Sequence, residues 1–201
     1  MVRRQIERRG VRDGLTLAAL RTVPRHEFVP IEERGDAYAD RPLPLGFGQT
    51  ISQPYIVALM TELCGLRGGE SVLEVGTGSG YQAAVLAEIA GRVFTLENVE
   101  PLARTAAATL LRLRYANVTC RLADGREGWP ALAPFDAVVV TAAPERAVPA
   151  ALLAQLREGG RLVAPVGGVE QVLRVYEKRG GKVGHRDVAA VRFVPLTGEP
   201  R

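Results

Sequence analysis

Ser71-Val-Leu-Glu-Val-Gly-Thr-Gly-Ser-Gly80 decides the fold. The stretch reads as a buried strand, residues 71–75, that breaks into three alternating glycines and then a helix over 81–90. Glycine tolerates positive φ and lets backbone approach a ligand closely, while a helix N-terminus offers free N–H groups. A bound nucleotide cofactor is the reading this supports, against a tight strand-to-helix turn that holds nothing. Outward from it, residues 92–97, 118–122, 137–141 and 161–166 are short β-prone runs, and 100–114 and 148–156 read as helices in the gaps. Strands alternating with helices of this length predict an α/β fold: a Rossmann-like, doubly wound, mostly parallel sheet covered on both faces. Residues 172–177 and 188–194 add closing strands around a turn at Gly180-Gly181.

Ahead of this core, residues 1–66 read as an N-terminal extension, with 67–201 as the cofactor-binding part of one structural domain. Helices are expected at 2–9, at 15–23, which Pro24 stops, and at 54–63. Prolines and glycines between Pro30 and Pro54 predict a long loop, a kind of segment that usually carries function. The 201 residues suffice for a single core without disulfide or metal. Apolar residues make up 47% and charged residues 24%, as in an ordinary globular protein, and no apolar run is long enough to span a bilayer. The first thirty residues carry Arg3, Arg4, Arg8, Arg9 and Arg12 with no continuous apolar run behind them, so they do not read as a secretory leader. Cys64 and Cys120 stand apart and outside any ligand pattern, which implies reduced thiols and no metal. A net charge of +4 with interspersed acids argues against nucleic acid as the partner.

Three acids stand at or just past strand ends. Glu74 stands where a carboxylate accepts from the ammonium of a cofactor's amino-acid end. Glu97 ends the next strand about twenty residues past the loop, where an acid accepts both hydroxyls of a ribose, the alternative being a solvated strand-end charge. Asp124-Gly125 follows the third strand, where the acid takes an adenine amino group, the alternative being an Asx turn. A dinucleotide fingerprint starting at Gly76 requires glycine where Tyr81 stands, and no Walker lysine follows. The set therefore points to S-adenosylmethionine, with Gly76, Thr77, Gly78, Ser79, Gly80 and Gly125 shaping its site and S-adenosylhomocysteine as product.

After the fourth strand comes Thr141-Ala-Ala-Pro144, without the polar groups that methylases of base amines carry there. His26 and His185 sit in no catalytic context, so a strong general base is missing. An acceptor already ionised at neutral pH needs none, and a carboxylate is such an acceptor.

Gly46-Phe-Gly-Gln-Thr-Ile-Ser-Gln-Pro-Tyr-Ile-Val-Ala58 resembles the signature of the protein-L-isoaspartate(D-aspartate) O-methyltransferase family. Val23-Pro-Arg-His-Glu-Phe-Val-Pro30, Gly76-Thr-Gly-Ser-Gly-Tyr-Gln-Ala-Ala84, Gly128-Trp-Pro130, Pro134-Phe-Asp136 and Val191-Arg-Phe-Val-Pro-Leu196 agree with it along nearly the whole chain. The resemblance implies methylation of the α-carboxylate of L-isoaspartyl residues in damaged proteins, the ester then cyclising to a succinimide that reopens partly to aspartate. It identifies Ser52 as the active-site serine, read as hydrogen-bonding the acceptor rather than attacking it, where the plain alternative is a helix N-cap. Gln49, Thr50 and the Val194 backbone are further candidates for holding the substrate. Isoaspartyl peptides and proteins are the implied partners, with neither nucleic acid nor membrane, in a cytoplasmic monomer without metal. Ala123, where glycine is common, and Asn98-Val-Glu-Pro101 after Glu97 depart from the usual pattern. Competing readings are an RNA or small-molecule methyltransferase on this fold, a non-catalytic cofactor-binding module, and a nicotinamide reductase that Tyr81 disfavours.

Overall fold

The computed structural model describes residues 1–198. Asp13 starts the first regular element: its Oδ2 accepts from the N–H of Thr16 at 2.7 Å and so caps helix α1, Gly14–Thr22. Glu62 Oε1 accepts from the N–H groups of Arg12 and Asp13 at 2.6 and 2.7 Å, tying that helix start to the next long helix. Before α1 the chain makes a wide π-type turn, Val2–Ile6, and a 3₁₀ turn, Glu7–Arg9, in place of one regular helix.

The expected loop between Pro30 and Pro54 is more ordered than its prolines suggest. Two 3₁₀ segments, Arg25–Phe28 and Ile31–Asp36, lead into an antiparallel hairpin of β1, Leu43–Gly46, and β2, Gln49–Ile51. Gly46, Phe47 and Gly48 turn it with φ of 86°, 54° and 71°. Proline removes donors, but Pro44 opposes Thr50 in a two-stranded ribbon, where a ladder tolerates it. Helix α2, Pro54–Cys64, follows with proline in its first turn, a position whose N–H lacks a partner in any case.

The core elements are then β3 (Ser71–Val75), α3 (Tyr81–Ala87), β4 (Arg92–Glu97), α4 (Glu100–Arg112), β5 (Val118–Leu122), β6 (Phe135–Val140), α5 (Ala150–Ala154), β7 (Leu156–Val166), β8 (Gln171–Arg179) and β9 (Lys182–Val191). The sheet order is β5-β4-β3-β6-β7-β8-β9, parallel through β7 and antiparallel in the last two pairs. All five residues of β3 are buried, because alternate side chains enter different cores. Val72 joins a cluster that also holds Ile6, Leu20 and Phe28 of the extension, whereas Leu73 and Val75 join one with Phe94, Leu152 and Leu162.

Element ends shift for local reasons. α4 stops before Arg114 because that residue turns left-handed at φ 66° and Tyr115 N–H bonds back to Leu110. α3 ends at Ala87, and its last turn tightens, with Ile89 and Ala90 both bonding to Leu86. The last strand starts earlier and ends earlier than its apolar run, at Val191. Beyond it, Phe193 N–H donates to Gln171 Oε1 at 2.6 Å and Pro195 forms a bridge with Ala143, which swings residues 192–197 over the carboxyl end of the sheet. Replacing Asp13 by Ala is expected to lower stability by about 1 kcal/mol in denaturant unfolding, because the first orphan donors of α1 lose their acceptor.

Candidate active site

β3 and β6 are neighbours, yet the chain leaves β3 for β4 on one side and leaves β6 for β7 on the other. A crevice opens above such a switch point. Its floor is the glycine loop, where Gly76, Gly78 and Gly80 have φ of 97°, 53° and 86°. A Cβ on Gly76 would run into Oγ1 of Thr141, whose hydroxyl donates to the carbonyls of Val75 at 3.0 Å and Gly76 at 2.6 Å. Glycine is therefore required there both by φ and by contact. Gly80 does not reach the crevice; it begins α3 and lies against Ala106 and Leu110 of α4. The expected row of free N–H groups is also largely engaged. Those of Gly76 and Thr77 bond Leu96 O at 2.8 and 3.1 Å, that of Gly80 bonds Thr77 O at 2.8 Å, and that of Gly78 bonds Glu97 Oε2 at 2.7 Å. Thr77 and Ser79 remain as polar side chains bordering the cleft.

The three acids part company. Glu97 lines the cleft and is 6% exposed, and its Oε1 also accepts from the N–H groups of Asn98 and Val99 at 2.9 and 3.0 Å. A carboxylate has about four acceptor sites, so with three backbone donors in place it shapes the loop before it meets any hydroxyl. Glu74 lies fully buried beneath the loop and outside the cleft lining, with Oε2 2.5 Å from Thr95 Oγ1 and Oε1 unpartnered. Burial raises its pKa to about 8, with Thr95 opposing and Glu97 reinforcing, so at neutral pH it is an acid and not the carboxylate that pairing with an ammonium needs. Asp124 stands beside the cleft lining, next to Gly125. It caps the 3₁₀ turn Gly125–Glu127, and its carboxylate is gripped by Arg126, with Nη2 2.6 Å from Oδ2, which lowers its pKa. Gly125 of that pair borders the cleft, and a Cβ there would strike Val75.

The hairpin forms the opposite wall. Gln49, Thr50 and Ser52 line the cleft, and Thr50, Ser52, Thr141 and Val194 border both it and an outer groove that runs past Tyr55 and the segment 189–194. Helix α2 is capped at Gln53, so Ser52 is not its N-cap. The Val194 carbonyl accepts from Ala143 N–H at 2.8 Å, and its own N–H takes no part in that bridge.

Sequence reasoning missed the residue that holds this wall. Arg25 is 0% exposed; its Nη2 donates to Ser52 O and its Nε to Ala37 O, each at 2.7 Å, and its guanidinium lies 4.6 Å from the Tyr81 ring centre. Burial lowers its pKa to about 10, so it stays cationic at neutral pH. An arginine inside Val23–Pro30, one of the segments that carry the resemblance, was the available signal. Thr141 and Asn98 were missed too; Asn98 borders the cleft and its Nδ2 donates to Thr197 Oγ1 at 2.8 Å, fastening the last described residues above it. Among the described residues no group of three His, Cys, Asp or Glu side chains is placed to hold a metal ion.

A family model described as protein-L-isoaspartate(D-aspartate) O-methyltransferase matches residues 1–201. The protein-L-isoaspartate O-methyltransferase of Opitutus terrae is 56% identical over 201 residues, covering 99% of this chain and 86% of that one. That of Anaeromyxobacter dehalogenans is 56% identical over 195 residues, 95% and 93% of the two chains. Among solved structures, a protein-L-isoaspartate O-methyltransferase superposes over 96% of this chain, with TM-score 0.86 and 29% identity, and this chain spans 63% of its length. A protein of that description from Plasmodium falciparum, in complex with S-adenosyl-L-homocysteine, gives TM-score 0.84 and 26% identity over 95% of this chain and 94% of that one.

Two outcomes follow from the buried charges. Arg25→Lys keeps the cation but cannot reach both carbonyls with one planar fork, and is expected to cost about 2 kcal/mol in denaturant unfolding. Folded Glu74 holds its proton to about pH 8, whereas the unfolded side chain releases it near the ordinary carboxylate value of 4.5. The folded state thus binds more protons across that window, and stability declines as pH rises through it. Glu74→Gln is expected to flatten this decline, and melting temperatures of the two proteins between pH 5 and 8.5 measure it.

Proposed function

The chain belongs to the protein-L-isoaspartate(D-aspartate) O-methyltransferase family, and on that premise we propose how its residues share the methylation of L-isoaspartyl α-carboxylates in damaged proteins. It is an S-adenosylmethionine-dependent protein carboxyl methyltransferase with a Rossmann-like fold.

The residues present fit the methyl donor. Left-handed Gly76 against Thr141 leaves a cradle that a Cβ would fill, and the apolar Val75 and Leu96 stand beside the polar Thr77, Ser79 and Glu97. Gly76, Thr77, Gly78, Ser79, Glu97 and Gly125 would hold it. When bound, it supplies an electrophilic sulfonium methyl group. The acceptor carboxylate is ionised at neutral pH and needs no general base, so the protein's task is alignment and exclusion of water. Ser52 donates a hydrogen bond that orients the carboxylate, Thr50 and Gln49 flank it, and the Val194 N–H receives the peptide backbone. The extension, residues 1–66, thus carries most acceptor contacts and residues 67–201 the cofactor contacts.

The observation that supports this division is that Ser52, Thr50, Thr141 and Val194 border the cofactor cleft and the outer groove at once. A peptide in the groove meets the donor only there. We further read the protein as a cytosolic monomer acting on polypeptides and not on nucleic acid. The two cysteines are free thiols, and no described helix is long and apolar enough to cross a membrane.

Methyl-labelled S-adenosylmethionine with two peptides that differ only in one L-isoaspartyl or L-aspartyl residue tests the reading. Base-labile label is expected on the isoaspartyl peptide alone. Ser52→Ala is expected to lower kcat/KM by roughly 10- to 100-fold, the loss of one hydrogen bond to a charged group, with S-adenosylhomocysteine affinity held within twofold. Equal labelling of both peptides would refute the substrate assignment, and an unchanged Ser52→Ala would refute the role of the serine.

A further inference from the structure

Glu74 reaches the cleft indirectly. Its Oε2 lies 2.5 Å from Thr95 Oγ1, which lies 2.6 Å from Thr77 Oγ1. Glu74 and Thr95 are fully buried, and Thr77, 4% exposed, borders the cleft. Each threonine hydroxyl has one hydrogen, so the links of this chain cannot be set independently. If Glu74 accepts from Thr95, then Thr95 accepts from Thr77, and Thr77 turns lone pairs to the cleft. If Glu74 donates, the direction reverses, and Thr77 turns its hydrogen outward.

The unpartnered Oε1 selects between these states. In the neutral acid, a proton on Oε1 would be a buried donor without an acceptor. A proton on Oε2 leaves only an under-used carbonyl oxygen there, the less costly defect. Neutral Glu74 therefore donates to Thr95, and ionised Glu74 accepts from it. Since the N–H groups of Gly76, Thr77, Gly78 and Gly80 are engaged within the fold, the Thr77 hydroxyl matters to what this loop can offer.

We infer that Glu74 is a positioning residue for cofactor binding, whose proton sets the direction of the Glu74–Thr95–Thr77 chain and with it whether the loop offers a hydrogen to the carboxylate of the S-adenosylmethionine amino-acid end. The inference rests on reading the cleft as that cofactor's site. With the acid raised to about 8, the reversal falls just above neutral pH. The titratable groups acting on Glu74 are few. Glu97 on β4 raises it, and Cys120 on β5 is raised to about 11 by burial first and by Glu74 second. On α2 and α3, which pack on this face, Cys64 and Tyr81 are each pushed to about 12 by burial, and Arg25 lies over Tyr81. The facing stretch of β6 around Val139 carries no titratable side chain, Asp136 lying at its far end beside Ser71.

Calorimetric titration with S-adenosylhomocysteine between pH 6.5 and 9.5 tests this. Wild-type affinity is expected to fall about tenfold through pH 8, the value of a charge-assisted hydrogen bond, with proton uptake on binding revealed by buffers of different ionisation enthalpy. Glu74→Gln, whose amide donates to Thr95 permanently, is expected to lose both the step and the uptake, leaving only titration of the ligand's own ammonium, common to both proteins. Thr95→Val is expected to bind more weakly throughout and show no step; Thr95→Ser restores the wild-type profile. Identical steps in wild type and Glu74→Gln would overturn the role of Glu74. Absence of binding by folded wild type at every pH would overturn the cofactor reading itself.

Discussion

The structure turns on one close approach: where β3 ends, the backbone passes left-handed through Gly76 with no room between it and Thr141, just past the adjoining strand β6. Three hydrogen bonds join these two strand ends, from Thr141 N–H and Oγ1 to Val75 O and from Oγ1 to Gly76 O. They fix the floor of the crevice at the point where strand order reverses. The hairpin, the chain after β9 and the ends of β4 and β6 are then walls set around that floor.

The walls are held by polar groups that are themselves buried. Glu97 gathers the N–H groups of Gly78, Asn98 and Val99, so the carboxylate facing the cleft also sets the shape of the loop it faces. Arg25 does the corresponding work for the hairpin wall through the carbonyls of Ser52 and Ala37. Buried charge is costly unless its hydrogen bonds are met; Glu97 meets most of its acceptor sites with backbone N–H groups, and Arg25 meets Nε and Nη2 with backbone carbonyls while its Nη1 is buried without a partner. Rigidity at the site thus comes from side chain to main chain bonds, which hold the wall against the floor while the acceptor side stays open along the outer groove.

The chemistry asks little of this frame beyond position. An ionised carboxylate and a sulfonium methyl react once they are aligned, which agrees with a site that has hydroxyls and backbone groups and no well-placed histidine. His26 contacts Tyr38 and Glu27 at the surface, and His185 packs on Tyr176 at the sheet edge.

Several features were legible in the sequence because they depend on local rules. Alternating glycines after an apolar run announce a strand, a left-handed loop and a helix whatever surrounds them, and β3, β4 and β5 occupy the residues that their β-prone runs predict. The Ser52 loop was legible by its resemblance. Tertiary structure decided the rest. Whether an acid at a strand end meets a ligand depends on what else reaches it first. Arg126 takes Asp124, backbone donors fill most of Glu97, and burial beneath the loop leaves Glu74 protonated, none of which spacing along the chain encodes. The hairpin at 43–51, the arginine behind Ser52 and the return of residues 192–197 over the cleft likewise rest on contacts between segments far apart in sequence, where the partner and not the residue type fixes the role.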